Sequence, residues 1–449
     1  MIKILHLSDI HMGSGFSHGR INPATGQNTR LEDFVNTLSK CIDRAIGLCP
    51  DSANAEPVDL VLFGGDAFPD ATPPPYVQEA FASQFRRLVD AQIPTVLLVG
   101  NHDQHSQGQG GASLCIYRTL GVPGFIVGDS IDTHRIQTRN GCVQVITLPW
   151  LTRSTLLTRP ETEGLALAEV NELLTQRLDP VLEGEIRRLD PEVPTVLLAH
   201  LMADRANLGA ERFLAVGKGF TIPLSMLTRP CFEYVALGHV HRHQNLNKSN
   251  DPPVIYPGSI ERVDFSEEKE DKGYVLVELE RGHAQWEFCP LPVRVFRTIE
   301  VDVSDATDPQ AALLKAIGKK DIKDAVVRLI YKLRSEQLDL IDNATVHQSL
   351  SDAHSYTIRP ELISQLARPR LPELGVGSSI NPMDALKTYL ENREDLKDIT
   401  AEMMEAAQHL LAPEGNSWLA LVDTEEAALV GADKDSQPPD NMDAQLRLL

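Results

Sequence analysis

The apolar positions of this chain fall into two alternating rhythms. Short, mostly apolar runs rich in β-branched residues cover Ile2–Leu7 and residues 58–63, 95–99, 143–148, 195–199, 234–237, 254–256 and 273–278, and these predict strands. Between them the spacing lengthens to three and four. Leu31, Phe34, Val35, Leu38, Ile42, Ala45 and Ile46 share one face of a helix predicted over 31–48, and similar spacing predicts helices over 76–91 and 165–189. The early strands are almost continuously apolar, so both of their faces are expected to be buried. A strand–helix–strand order of this kind implies an α/β domain. Ser-, Gly- and Gln-rich stretches at 13–29 and 104–113 read as loops.

The pattern changes after Pro290-Leu291-Pro292. A strand (297–303), a helix (309–317), a second strand (325–333) and a further helix follow, which predicts a small α+β module. Pro369-Arg370-Leu371-Pro372 and the Gly/Ser stretch 375–379 read as a linker, followed by helical patterns at 382–392 and 396–411. About the last thirty residues are polar and expected to be disordered. The expected division is therefore 1–290, 293–368 and 380–449, in keeping with 449 residues at roughly 150 per domain.

Composition narrows the class. Hydrophobic residues at 42% and charged residues at 23% exclude a disordered or fibrous chain. No apolar run approaches the roughly 18 residues that cross a bilayer, and the N-terminus reads straight into a strand without a signal-peptide pattern. Cysteines at 41, 49, 115, 142, 231 and 289 are scattered without a C-x-x-C, so reduced thiols and a cytoplasmic location are expected. The net charge of −21 speaks against nucleic acid, because phosphate contacts need local positive charge. That excess is uneven: 25 basic against 36 acidic residues in 1–290, 12 against 11 in 291–370, and 5 against 16 in 371–449. Carboxylates that bind metal would also be offset by the ion.

The chemistry gathers where strands end. The first runs into Asp9-Ile10-His11, the second into Gly64-Gly65-Asp66, the third into Gly100-Asn101-His102-Asp103, the fourth into His200, and the fifth into Gly238-His239-Val240-His241. Ligands of open α/β sheets collect at the carboxyl ends of strands, so these five termini can converge. Alternation along an extended chain would place Asp9 beside His11, and His239 beside His241. A mixed imidazole, carboxylate and amide set suits Mn, Fe or Zn better than Ca or Mg alone. Two Asp, one Asn and four His exceed the needs of one tetrahedral ion but suit two ions roughly 3.5–4 Å apart with a bridging carboxylate. Such a pair activates water against a phosphorus centre and offsets the charge growing on its oxygens.

The ordered blocks D-x-H, GD, GNHD, an isolated His after an apolar strand, and GHVH resemble the calcineurin-like metallophosphoesterases. Tyr256-Pro257-Gly258-Ser259-Ile260-Glu261-Arg262-Val263-Asp264-Phe265, Leu148-Pro149-Trp150, Asn28-Thr29-Arg30-Leu31-Glu32-Asp33-Phe34 and Phe296-Arg297-Thr298-Ile299-Glu300-Val301-Asp302-Val303 are similar to blocks of the SbcD nuclease family within it. The resemblance covers roughly residues 1–360 and only loosely the tail. It implies a four-layer α/β fold, a β-sandwich flanked by helices, with a small α+β capping module and a helical C-terminal tail. It implies that Asp9, His11 and His241 hold one Mn²⁺, that Asn101, His200 and His239 hold the other, and that Asp66 bridges, with Fe or Zn as possible substitutes. His102 would contact phosphate and protonate or stabilise the leaving oxygen, and Asp103 would orient His102 through a hydrogen bond. The implied activity is 3′→5′ double-strand exonuclease and single-strand or hairpin endonuclease cleavage of DNA. It would act in repair, recombination and replication with an SbcC-type ATPase, as a homodimer within a heterotetramer, on the nucleoid. One departure stands out: some relatives carry a second His three residues after the bridging Asp, and here that position is Pro69.

Other residues have plainer readings. His6 is expected to be a packed core histidine, and His18 and His243 solvated. His105 sits in a Gln/Gly-rich loop where a solvated residue is the simpler reading. Arg30 could meet phosphate or pair near the helix that follows. Ser259, Glu261 and Arg262 read more as a structural turn than as DNA contacts, and Cys115, Cys142 and Cys231 as small buried hydrophobes. The tail helices could pack on this protein or dock on the ATPase. Two rival functions remain: a small-molecule phosphatase or cyclic-nucleotide phosphodiesterase using the same metal site, and a scaffold built on a degenerate domain. Every metal position carries a competent residue, which disfavours the scaffold.

Overall fold

A computed structural model of the chain describes residues 1–48, 56–104, 112–152, 165–207, 221–249, 251–363, 382–391, 396 and 399–411. The strands in chain order are β1 (Ile2–Leu7), β2 (Leu60–Phe63), β3 (Thr95–Leu98), β4 (Phe125–Gly128), β5 (Asp132–Thr138), β6 (Gly141–Leu148), β7 (Thr195–His200), β8 (Met202–Ala203), β9 (Thr221–Ile222), β10 (Tyr234–Gly238), β11 (Gln244–Asn245), β12 (Val254–Tyr256), β13 (Gly273–Glu280) and β14 (His283–Pro290). They build two six-stranded sheets, ordered β14-β13-β1-β2-β3-β4 and β11-β12-β10-β7-β6-β5. β1 to β4 pair in parallel, as do β6, β7, β10 and β12, while β13, β14, β5 and β11 join through antiparallel pairs.

The side-chain parity of each strand explains why the core strands are apolar throughout. Ile2 and Ile4 on β1, Leu60 and Leu62 on β2, and Val96 and Leu98 on β3 face the second sheet, meeting Val196, Leu198, Tyr234 and Ala236. The alternate residues Leu5, Leu7, Val61, Phe63 and Leu97 face outward, under helices α1 (Thr29–Ala45) and α2 (Pro75–Asp90). On the other side, Leu197, Ala199, Val235 and Leu237 meet helix α4 (Leu167–Ile186), with the short helix α5 (Leu224–Leu227) at its margin, while the short helix α3 (Cys115–Thr119) packs on the first sheet's side beside β4. The result is the expected four layers, helix–sheet–sheet–helix. Each apolar layer removes side chains from water on both sides, at roughly 1.5–3 kcal/mol for a fully buried large residue. α1 starts on the side chain of Asn28, which accepts from the Arg30 amide, and carries Glu32 in its first turn and Arg44 in its last.

The strands that periodicity did not reveal are β4, β5, β11 and β14, together with β17 described below and the two-residue β8 and β9; the first five are sheet edges. On β5 only Ile136 and Thr138 are buried, so too few positions alternate to stand out. An edge needs polar residues to discourage pairing with another chain, and this removes the signal by which a strand is read.

After β14 comes a segment with an apolar core of its own. Strands β15 (Phe296–Asp302), β16 (Val326–Arg334) and β17 (Ser355–Ile363) pair in parallel, connected through helices α6 (Pro309–Gly318) and α7 (Asn343–Ser349). Ile299, Val327, Leu329 and Leu333 pack there on Leu313, Ile317, Val346 and Leu350. α6 begins with Pro309 after Asp308, whose carboxylate accepts from the Ala311 amide. The segment is tied to the sandwich: Thr29 Oγ1 lies 2.8 Å from His354 Nε2, the Thr298 amide donates to Glu268 at 3.0 Å, and Phe265 packs on Phe296. Residues Met1–Ile363 form one compact unit and Ser364–Leu449 another.

In the second unit, helices α8 (Pro382–Glu391) and α9 (Thr400–Leu411) pack together, and Leu390 is buried. The expected linker, the acidic end of the tail and the loop with His105 lie outside the described residues. No described helix is long and apolar enough to cross a membrane.

Candidate metal centre

Parallel pairing places the carboxyl ends of β1, β2, β3, β7 and β10 on one edge of the sandwich, and the five motifs follow those ends. The backbone turns there at unusual cost. Of six described non-glycine residues with positive φ, four are Asp9 (52°), His11 (46°), Asp66 (59°) and His239 (106°). Each such residue costs on the order of 1 kcal/mol or more, so the surrounding structure must over-determine it. Asp9 and His11 do come together, but through these turns rather than through the extended alternation expected, while His239 and His241 fall into different ligand groups, the first with Asp66 and His200 and the second with Asp9 and His11. Backbone bonds lock the turns: the Asp9 amide donates to Gly65 O at 3.0 Å and the His11 amide to Asp66 O at 3.1 Å. Two glycines permit the close approach. A Cβ on Gly65 (φ 98°) would lie 2.6 Å from His200 Nδ1, and one on Gly100 would lie 2.2 Å from Asp66 Oδ1.

Three overlapping groups could each hold a metal ion: Asp9, His11 and His241; His11, Asp66 and His102; and Asp66, His200 and His239. Asp66 Oδ2 lies 3.3 Å from His200 Nε2 and 3.7 Å from His11 Nε2. His11 Nε2 and His241 Nε2 face one another at 2.9 Å, and Asn101 Oδ1 lies 2.9 Å from His200 Nε2 and 3.0 Å from His239 Nδ1. The His239 amide spans the two sheets by donating to both oxygens of Asp9 at 3.1 Å. All seven expected ligand positions are therefore in one cluster.

Its electrostatics are those of a cation site. Among the described residues no Lys or Arg pairs with Asp9 or Asp66, and Nε2 of His239 is buried without a hydrogen-bond partner. Burial raises Asp9 above the usual carboxylate range. At Asp66 burial pushes the same way, but the imidazoles of His200 and His11 outweigh it and hold this carboxyl well below that range. His200 answers in kind: burial works against its charge, and the Asp66 and Asp9 carboxylates lift it to about 9. His239, buried and next to His200, is pushed down to about 3. Two carboxylates, an amide oxygen and four imidazoles, with no Lys or Arg paired to the carboxylates among the described residues, fit a divalent transition ion.

The GNHD turn departs from expectation at one bond. The carboxylate of Asp103 does not meet His102. It accepts from the amides of Asp66 (2.9 Å), Ala67 (3.1 Å) and Gly100 (3.0 Å) and from Ser113 Oγ (3.3 Å). A carboxylate with four such donors is a brace for the turns that carry Asp66 and Asn101. Burial and the nearby Asp66 lift it to about 6 even so. His102 is instead held by Pro69, whose carbonyl accepts from Nδ1 at 2.7 Å, and the His102 amide donates to Asp66 Oδ1 at 2.8 Å. Residue 69 thus contributes through its backbone, for which no side-chain motif exists. A carbonyl only accepts, so Nδ1 carries the proton and Nε2 is the nitrogen left for chemistry.

Other residues around the cluster were not expected. Glu267 Oε1 lies 2.7 Å from His241 Nδ1, and Glu267 Oε2 pairs with buried Lys272. Trp150 lies against His239 with ring centroids 4.8 Å apart. The open readings also resolve. Arg30 is fully buried between Phe34 and Phe296, pairing with Asp33 and donating to Arg262 O at 2.6 Å, so it is structural. Arg262 donates to the carbonyls of Glu267, Arg294 and Glu270, and Ser259 Oγ to Glu261 O, which makes this block a structural turn. His6 is a core residue, bonded through Nδ1 to Tyr234 Oη at 3.0 Å. His243 and His18 are half-buried rather than solvated, the first stacked on Phe288 at 4.0 Å and the second edge-on to Phe265 at 5.3 Å. Cys115, Cys142 and Cys231 are likewise half-buried, and only Cys41 of the described cysteines is fully so.

A family model for calcineurin-like phosphoesterase matches residues 2–243, more than half of the chain, and the chain belongs to that family. Among curated relatives, the SbcD component of the SbcCD nuclease of Rhodobacter capsulatus is 29% identical over 346 residues, 72% of this chain and 77% of that protein. The corresponding SbcD component of Staphylococcus epidermidis is 25% identical over 310 residues, 68% of this chain and 74% of that protein. The resemblance read from the five blocks thus holds for the family and extends to relatives that bear the SbcD name.

Proposed function

We propose that this protein is a manganese-dependent DNA nuclease that cuts duplex ends 3′→5′ and opens single strands and hairpins, working with an SbcC-type ATPase. The observation that carries the reading is the gathering of seven ligand-type side chains and His102 on one edge, in a chain similar over two thirds of its length to components of a nuclease. In this reading Asp9, His11 and His241 would hold one Mn²⁺ and Asn101, His200 and His239 the other, with Asp66 available to both. The bound ions supply Lewis acidity, lowering the pKa of water and offsetting charge on the phosphate oxygens.

The protein's own groups do the rest. His102 is half-buried with Nδ1 fixed on Pro69, so Nε2 is free to meet a phosphate oxygen and, once protonated, to give that proton to the leaving oxygen. Asp103 holds the Gly100 and Asp66 turns in register rather than acting on substrate. The 293–368 module guides the DNA backbone toward the cluster, and the 380–449 tail docks on the ATPase, which supplies positive surface that this acidic chain lacks.

The test is cleavage of end-labelled linear duplex DNA by the purified chain with Mn²⁺, beside His102→Ala. Metal-dependent shortening that falls by about 10²–10⁴ in the variant is expected, the range for a positioned acid. Turnover of a small phosphodiester without DNA cleavage, even with the ATPase present, would move the small-molecule reading ahead.

A further inference from the structure

We propose that Glu267, braced by Lys272, is the positioning residue that sets which ring nitrogen of His241 faces the metal cluster. The inference rests on the reading of His241 as a ligand and deepens it. His241 presents Nε2 to His11 Nε2 at 2.9 Å, in the group with Asp9, while its other nitrogen lies 2.7 Å from Glu267 Oε1. A carboxylate only accepts, so this contact holds the proton on Nδ1 and leaves the Nε2 lone pair directed at the cluster. Glu267 is itself fixed. Its second oxygen accepts from the Val263 amide at 3.0 Å and pairs with Lys272 Nζ at 2.9 Å, and both side chains are buried. The same Lys272 ammonium donates to the carbonyl of His241 at 3.0 Å, so one pair grips both the ring and the backbone of this residue.

Neither residue stands out in the sequence. They sit in Ser266-Glu267-Glu268-Lys269-Glu270-Asp271-Lys272, which reads as a solvated charged run. Only the turn Phe265–Glu267 and the start of β13 bring two of its members inward. A carboxylate behind a ligating imidazole raises its basicity and fixes its orientation, and loss of such a partner typically weakens metal binding 10- to 100-fold.

The experiment is calorimetric titration of the metal-stripped full chain with Mn²⁺, comparing wild type with Glu267→Ala, Glu267→Gln and the double variant Glu267→Ala, Lys272→Met. Two ions are expected on the wild type. In Glu267→Ala one of them weakens about 10- to 100-fold while the other holds, and Glu267→Gln, which keeps an acceptor oxygen, restores most of the loss. The double variant also removes the buried ammonium, which Glu267→Ala leaves with Glu270 and the His241 carbonyl, and it carries the test if Glu267→Ala alone does not fold. Unchanged binding in the alanine variants, or equal weakening of both ions, overturns the proposal while leaving the metal reading intact. A wild type that binds no Mn²⁺ overturns both.

Discussion

Two buried polar clusters lie within the same unit and are balanced in opposite ways. At the metal edge, Asp9 and Asp66 meet four imidazoles and an amide but no Lys or Arg among the described residues. At the seam between the sandwich and the 296–363 segment, two guanidiniums face two carboxylates. Arg30 pairs with Asp33 and lies 3.7 Å from Glu261, and Arg294 grips Asp33 through two nitrogens. The seam is balanced by permanently charged guanidiniums, whereas the edge has only titratable imidazoles to offset its carboxylates. Burial of charge is therefore no mark of a functional site by itself; buried carboxylates offset only by titratable imidazoles, with no Lys or Arg beside them, are.

That contrast can be broken by substitution. The largest effect is expected for Asp66→Asn, which keeps the shape but removes the carboxylate shared by two of the three ligand groups. Phosphodiesterase activity should fall by on the order of a thousandfold, the scale of removing a principal electrostatic element. Chelator should lower the melting temperature of the wild type, since metal binds only the folded state, and should leave that of the variant unmoved. A variant still stabilised by Mn²⁺ would show that Asp66 is not shared between ions.

Arg30→Met should behave the other way round. Removing Arg30 leaves buried Glu261 without its guanidinium and Asp33 with Arg294 alone, and the expected loss is about 3–5 kcal/mol of stability. Urea unfolding reads this directly. Mn²⁺ affinity of the folded fraction should be unchanged, and a variant of full stability with impaired cleavage would return Arg30 to the phosphate-binding reading.

A smaller effect sharpens the comparison with a third kind of buried polar group, one kept neutral. Burial in the layer between the sheets pushes the His6 imidazole down to about 3, from its ordinary 6.5. The unfolded chain takes up this proton more readily, so the stability from neutral His6 is complete above about pH 6.5. It is lost as pH falls from there toward 3. His6→Gln should therefore flatten the decline of the urea midpoint between pH 6.5 and 4, and equal slopes in the two proteins would remove His6 from the account.

Much of the centre was legible because a metal cluster in an α/β sandwich demands ligand-type side chains where apolar strands stop. Asp9, Asp66, Asn101, His200 and His239 each follow such a run, and polar residues of those types beside glycine have few other reasons to be there. The module after residue 290 was readable in part, since Ile299, Val327, Leu329 and Leu333 alternate strongly while β17 is a polar edge. The orientation of His102 was not legible. Its partner is the carbonyl of Pro69, and every residue type offers the same carbonyl. Asp103 was recognised as part of the site and given the wrong bond, because adjacency in sequence suggested a contact that the turn directs elsewhere.

The sequence by itself determined the layered α/β plan and the five ligand-bearing ends, because hydrophobic parity and residue chemistry are local properties of the chain. Only the tertiary structure decided which charges compensate one another. Arg30 and Glu261 became a seam, Glu267 and Lys272 became the backing of His241, and Asp9 and Asp66 were left with no Lys or Arg partner among the described residues. The reason is physical: a charge has a sign in the sequence, but its partner and its distance from water exist only once segments far apart in the chain have packed together.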